Sequence, residues 1–317
     1  MLKGKIKAMS EQVDTLTVEG FSWTNVDSPT RTVLDELNRE YAFHHLSIDD
    51  CLSVNQRPKI DEYDDYVFII LYFPHEVKHD DEYKIVLERV DIFIGQDFCV
   101  TVQSGSKRVN EIFEECKENE AVRNKYMAKG TGYFLYKLLN RLFLDMFPIL
   151  DRLSKRADVY EDDIFEKKGA EDMLEDILEL KKEILEFRRI ISPQRPVVAQ
   201  LEHKNTRFIS EDLEVYFDDV VDKIERIWSH LESLNDTLNS IQQTNETIIF
   251  HNTNNVIKTL TIFSVTMMPL TLLSGIYGMN LSTLPYASHP SSFHIVTGIM
   301  LLVLIAMLIF FKVKKWM

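Results

Sequence analysis

From Thr259 to Phe311 the chain has no aspartate, glutamate, lysine or arginine, and no acidic residue follows Lys258 anywhere. A stretch so long without charge is excluded from an ordinary solvated surface. Cysteine is scarce: Cys51, Cys99 and Cys116 form no CxxC pair and leave an odd thiol, which argues against a disulfide scaffold and for a reduced, cytosolic setting. No GxxxxGK[ST] loop is present, so nucleotide-driven work has no visible seat. Nor is there a nucleophile–base pair, a metal-ligand cluster or a cofactor loop, and an enzyme is not expected. The opening "MLKGKIKAMSEQ" lacks the apolar core of a signal peptide, which puts membrane entry at the C-terminal end.

What is present is sharply divided. Setting aside Lys312, Lys314 and Lys315 leaves 33 basic residues against 50 acidic ones in the first 258, a formal charge of −17. Such a body repels nucleic acid and attracts cations. The uncharged region holds two runs, 259–279 and 293–311. At 1.5 Å per residue each reaches about 30 Å, the thickness of a bilayer's hydrocarbon core. A short polar link, 280–292, makes them a hairpin. Lys258 precedes the first span and the tail 312–317 is basic, so the positive-inside rule puts both termini in the cytoplasm and the link outside.

Before the membrane the pattern is mixed. "DYVFIILYF" and "RVDIFIGQDFCVTVQ" are rich in β-branched and aromatic residues, the second broken by a Gly95-Gln96-Asp97 turn. "SPTRTVLDELNREYAF" predicts a helix capped by Ser28 with Pro29 at its first position. The domain plan is an α/β sandwich over 1–110, long antiparallel helices over 111–206 and a stalk helix over 207–258. The helices flanking Gly169 end in a tip holding Glu161, Asp162, Asp163, Glu171, Asp172, Glu175 and Asp176. That tip reads either as a solvated hairpin end or as an electrostatic trap for cations.

From Leu213 a heptad seam runs through Phe217, Val220, Ile224, Ile227, Leu231, Leu234, Leu238 and Ile241, turning polar at Asn245, Asn252 and Asn255. It predicts a helix packing against copies or neighbours of itself. With no breaker before the first span, 210–278 reads as one very long helix that tolerates Pro269 inside the membrane. On the span, Leu260, Ser264, Met268, Thr271, Gly275 and Gly278 share one small, mildly polar face. Close helix packing through small residues explains such a stripe. So does a pore wall with Leu260 and Met268 as hydrophobic constrictions, for which two spans per chain require several subunits. Gly278-Met279-Asn280 at the outer lip reads as a helix C-cap, or as a ring of neutral oxygens for a hydrated Mg²⁺, which dehydrates reluctantly.

The run "MMPLTLLSGIYGMN", the second span ending in "FKVKKWM", and "HHLSIDDCLSVNQRPKIDEYDDYVFIILYF" closely resemble the CorA family of divalent-cation transporters. The resemblance covers most of the chain. It implies a homopentameric funnel in the cell membrane with first spans lining the pore. Mg²⁺ would be the main substrate and a regulatory ligand, with Co²⁺ and Ni²⁺ also carried and no organic cofactor. Selectivity falls on Gly278, Met279 and Asn280, and the gate and pore on Asn254, Leu260, Met268 and Thr271. Regulatory acidic sites align with Asp50 and Asp219. One departure is the outer loop "LSTLPYASHPSS", which has no carboxylate where family members often carry one. A Zn²⁺, Co²⁺ or Ni²⁺ carrier of a related branch, with proton coupling, and a membrane-anchored sensor or scaffold are the rival readings.

Overall fold

A computed structural model describes residues 13–54, 56–79, 82–164, 170–203, 211–279 and 290–316. Six strands, β1 (Val13–Val18), β2 (Phe21–Asp27), β3 (Lys59–Glu62), β4 (Tyr66–His79), β5 (Glu82–Gly95) and β6 (Phe98–Gln103), form one sheet in the order β1-β2-β6-β5-β4-β3. Every pairing is antiparallel except β2 with β6. Both faces are covered, which is why β4 opens as a continuous apolar run rather than an alternating one. Tyr66, Phe68 and Ile70 join a core with Val33, Leu34 and Leu37 of helix α1 (Arg31–Tyr41) and Ile48 of α2 (His45–Leu52). On the other face Trp23 lies edge-on to Phe113 of α3 (Lys107–Glu118), ring centroids 4.8 Å apart. After α4 (Glu120–Met127), Phe134 of α5 (Thr131–Leu144) packs at the same 4.8 Å from Trp23.

Two helix ends differ from expectation. The cap of α1 is Thr30, whose hydroxyl accepts from the Val33 N–H at 3.4 Å, and not Ser28. Ser28 has φ 58°, outside the extended region an N-cap residue adopts, and its hydroxyl donates to Asp27 at 3.1 Å instead of accepting from a helical N–H. The long helix read over 131–168 is broken into α5 and α6 (Phe147–Asp163). Pro148 cannot donate and would press on the carbonyl of Leu144, so the chain restarts with Pro148 in a first turn.

Helices α7 (Ala170–Ile191), α8 (Arg195–His203) and α9 (Glu214–Tyr277) complete the helical layer, and α10 (Ser292–Val313) follows. The 64 residues of α9 are continuous through Pro269, and the chain divides into two compact units between Ile241 and Gln242. Within the first unit the seam residues Phe217, Val220, Ile224, Ile227, Leu231 and Leu238 are fully buried by the chain itself. Their cover comes from α6 to α8: His230 meets Ser154 at 2.9 Å, and Arg195 forks onto Glu225 at 2.7 and 2.6 Å. Trp228 sits between the guanidinium groups of Arg188 and Arg195, each 5.0 Å from its ring. This part of the seam is therefore intrachain packing, not a surface left for copies.

Gln194 ties this layer to the sheet. Because β3 pairs only with Val67 to Ile70, the edge of β4 is open at Tyr72. The fully buried Gln194 amide takes its place, accepting from the Tyr72 N–H at 2.8 Å and donating to its carbonyl at 2.9 Å. A second tie lies under α2. Arg89 donates to the carbonyls of Ser53 and Asp50 at 2.5 and 2.8 Å and pairs with the buried Asp91 at 2.7 Å. Burial pushes the Asp91 carboxyl up to about 6, against the downward pull of Arg89.

Gln194→Ala strands a buried donor and acceptor and lowers stability by about 2–5 kcal/mol. A fall of several degrees in the thermal midpoint of the purified protein checks this, with the exposed Gln200→Ala unchanged beside it. An equal midpoint for both would refute the tie. Because Asp91 holds its proton more tightly folded than unfolded, its contribution is fully present below its unfolded value near 4 and is lost as pH rises through about 6. The thermal midpoint of wild type relative to Asp91→Asn therefore rises as pH falls from 7 to 5; a constant difference would show an ordinary carboxyl.

Candidate functional site

Two helices are long and apolar enough to cross a membrane, α9 through its C-terminal part and α10. Within the second unit they are neighbours at both ends. At one end Lys258 donates to the Lys315 carbonyl at 3.4 Å. At the other, Ser274, Tyr277 and Gly278 line a cleft of about 380 Å³ with Ser292, Phe293 and Val296. The covered face of α9 carries Ile262, Thr266, Pro269, Leu270 and Leu273, and that of α10 carries Val296, Met300, Val303, Leu304, Met307 and Phe311. Both sets follow alternating three- and four-residue steps, as facing helices require.

Leu260, Ser264, Met268, Thr271, Gly275 and Gly278 lie about half a turn around α9 from that covered face, and all six are exposed. Leu260 is 64% and Met268 75% exposed. A Cβ added at Gly275 would meet nothing within 4 Å. The small residues of the stripe are thus not there to let the chain's own second span approach. Thr271 donates its hydroxyl proton to the Met267 carbonyl at 2.9 Å, which leaves its oxygen lone pairs outward as acceptors. Asn254, six residues before Leu260 on α9, is also exposed.

Gly278 closes the helix, its N–H donating to the Ser274 carbonyl at 2.8 Å. Its φ is not positive, so it is not the left-handed cap glycine that a C-cap reading expects. The constraint is proximity instead: a Cβ there would stand 2.9 Å from the Ser274 oxygen. Met279 is half exposed, and Asn280 lies outside the described residues, as does the loop to His289. At the basic end, Lys315 adopts φ 57° and Trp316 turns back, its N–H donating to the Phe311 carbonyl at 2.9 Å and its ring stacking on Phe311. That fold gathers Lys258, Lys312, Lys314 and Lys315 at one end of the hairpin.

The two acidic positions belong to the first unit. Asp50 is in the last turn of α2, and each of its oxygens has a donor: Gln56 Nε2 at 2.7 Å on Oδ1 and Lys59 Nζ at 2.6 Å on Oδ2. Lys59 also reaches Asp61 at 2.5 Å. Burial lowers the Lys59 ammonium's pKa, but the hydrogen bonds to Asp50 and Asp61 outweigh it and hold it above its usual value. Asp219, early in α9, meets Lys223 Nζ at 2.5 Å and the Tyr136 hydroxyl at 3.5 Å. These lysines were not singled out from sequence, although Lys223 stands four residues after Asp219, an ion-pair spacing on a helix. Among the described residues no group of three histidine, cysteine or acidic side chains is arranged to hold a metal ion, and Glu161, Asp162, Glu175 and Asp176 of the acidic tip are exposed.

Comparison with known proteins agrees with this layout from end to end. The family described as CorA-like Mg²⁺ transporter protein matches residues 18–315. The cobalt/magnesium transport protein CorA of Thermotoga maritima is 28% identical over 299 residues, 93% of this chain and 83% of that protein. The solved CorA magnesium transporter of Methanocaldococcus jannaschii superposes with a TM-score of 0.80 at 21% identity, covering 96% of this chain and 94% of that one. The ZntB cytoplasmic domain of Vibrio parahaemolyticus shares the fold at a TM-score of 0.58 and 14% identity, over 74% of this chain and 88% of its own. An α/β domain, a long helix and two C-terminal apolar helices are common to this chain and the full-length CorA structure, and the chain belongs to the CorA-like Mg²⁺ transporter family.

Proposed function

We propose that this chain assembles, as a pentamer, into a membrane channel that passes Mg²⁺, and Co²⁺ and Ni²⁺ with it, down the electrical gradient into the cytosol. The observation that carries the reading is the uncharged stripe from Leu260 to Gly278, left uncovered by the chain's own second span. One chain cannot enclose a water path with two helices. Several copies turning this face to an axis make Leu260 and Met268 rings of apolar side chains that gate by dewetting. Thr271 then offers a ring of acceptor oxygens between them. At the outer end Gly278, Met279 and Asn280 recognise the hydrated ion, which spares the cost of stripping Mg²⁺ of its waters. A divalent cation crossing inward at about −100 mV gains about 4.6 kcal/mol, so no nucleotide is needed.

Lys258 and the tail lysines place the termini on the cytosolic side, in the cell membrane. Regulation follows from Asp50 and Asp219. Carboxylate oxygens are the right donors for a hard cation, and in an oligomer these positions on different subunits would share bound Mg²⁺, stabilising the closed state by differential binding. In the lone chain each of these two carboxylates is already paired with a lysine.

The test is Mg²⁺ uptake into liposomes loaded with a Mg²⁺ dye, comparing wild type with Asn280→Ala. Flux that falls at least tenfold in the variant, with Co²⁺ competing in wild type, is the expected outcome. Flux untouched by the substitution would move selectivity away from the outer mouth, and uptake of Zn²⁺ in place of Mg²⁺ would favour the related branch.

A further inference from the structure

We propose that Lys59 and Lys223 are built-in counter-ions that compete with divalent cations for Asp50 and Asp219, and so set the cation concentration at which these sites fill. The proposal rests on reading the two aspartates as regulatory sites. What it adds comes from their surroundings. Neither carboxylate waits free for an ion. Asp50 is one-fifth exposed and both of its oxygens accept hydrogen bonds, one from an ammonium at 2.6 Å. Asp219 is half exposed, and the ammonium 2.5 Å from it belongs to a lysine side chain only 11% exposed. An ammonium in hydrogen-bond contact occupies a coordination direction that a metal needs, and a divalent ion bound on the same carboxylate would stand within a few ångströms of it. At that range like charges repel, so metal and ammonium compete for the same carboxylate.

Each lysine also has somewhere to go. Lys59 already bridges to Asp61 at 2.5 Å, so it keeps one partner when Asp50 is taken. Lys223 keeps the Asp219 main-chain carbonyl, which it reaches at 3.1 Å. Displacement therefore sacrifices half of each lysine's interactions rather than all of them. The exchange is biased against the metal only weakly, which suits a site that must sense a changing cytosolic concentration and not fill permanently. The same logic separates the two positions. The Tyr136 hydroxyl at 3.5 Å is a weak partner, so Asp219 has an oxygen close to free and half its surface in water, whereas Asp50 must surrender a lysine and a glutamine. Asp219 is the point of first contact and Asp50 the slower, latched partner.

The experiment uses the full-length oligomer purified in detergent, titrated with MgCl₂. Protection from trypsin and the rise in thermal midpoint report cation binding without relying on flux. Lys59→Met and Lys223→Met are expected to lower the Mg²⁺ concentration at half-effect by about two- to fivefold each, the range that exposed to half-buried ion pairs span. Lys59→Arg, which keeps the charge, retains the wild-type midpoint, and Lys59→Gln repeats the Met result if Met disturbs folding. Unchanged midpoints in both neutral variants, while Asp50→Ala with Asp219→Ala raises the midpoint, would overturn the competition and leave the regulatory sites standing. A midpoint unmoved by the aspartate pair would remove the sites themselves. An arginine variant that shifts like the neutral ones would assign the effect to packing and overturn the proposal.

Discussion

The constraint on which the rest depends is that a single helix, α9, must bury a face in two different solvents. In the first unit its apolar seam is covered by the chain's own helices, with Phe217 to Leu238 shielded from water. In the second, the face covered by α10 carries Ile262, Thr266, Pro269 and Leu273. These positions prolong the same three-and-four register through Asn245, Ile248, Asn252, Asn255 and Thr259. Where the cover is absent, between Asn252 and Thr259, the register turns to amides and a hydroxyl, which water can satisfy. In lipid no water is available, and every backbone group must be met inside the helix. Thr259, Thr261, Thr266 and Thr271 comply by returning their hydroxyl protons to the carbonyls four residues earlier.

That one-sided cover makes the opposite face of the span the informative one. A helix serving as a mere anchor has no reason to distinguish two faces, since lipid tails surround both equally. Here α10 protects one side, and the other combines two glycines, a serine and a threonine with Leu260 and Met268. Because Gly275 has open space over it, the small residues answer to something outside the single chain. A second copy and a column of water are both such things, and a channel axis provides the two together. Around such an axis, as proposed, the apolar positions would resist wetting while the smaller positions between them leave room for it, and with no charge along this face nothing would hold a cation permanently.

Much of this was legible in the sequence because the signals were periodic or local. The shared face of Leu260 to Gly278 rests on a period, and the uncharged spans, the apolar run of β4 and the Gly95-Gln96-Asp97 turn on local composition, all of which one chain displays by itself. What escaped depends on single residues or on distant partners. Ser28 has the right chemistry for a cap, but its backbone is left-handed and its hydroxyl is taken by Asp27, so Thr30 caps the helix. The seam from Phe217 announced a packed face without naming its cover, and the cover proved to be α6 to α8 rather than copies. Gln194 and Arg89 are invisible to pattern reading, since each acts on backbone atoms far away in sequence, at Tyr72 and at Ser53 and Asp50. Lys59 meets Asp50 only because β3 runs past the end of α2.

The contacts around Asp50 also lead, step by step, to α9. Arg89 grips the carbonyls at the end of α2, so the segment carrying Asp50 is held to β5. From the same sheet, Gln194 fastens β4 to the turn before α8, and the next residue, Arg195, forks onto Glu225 and lies on Trp228 of α9. Each link is a directed contact: hydrogen bonds from Arg89 and Gln194, an ion pair from Arg195 to Glu225, and the Arg195 guanidinium over Trp228. On the proposed reading of Asp50 as a regulatory position, a cation that drew it toward a neighbouring subunit would act through this chain of contacts rather than on a loose loop. The cost of moving the layer they hold is shared by every contact along it. For a layer held in this way to switch, the binding energy at the acid would have to exceed the free-energy difference between its two arrangements.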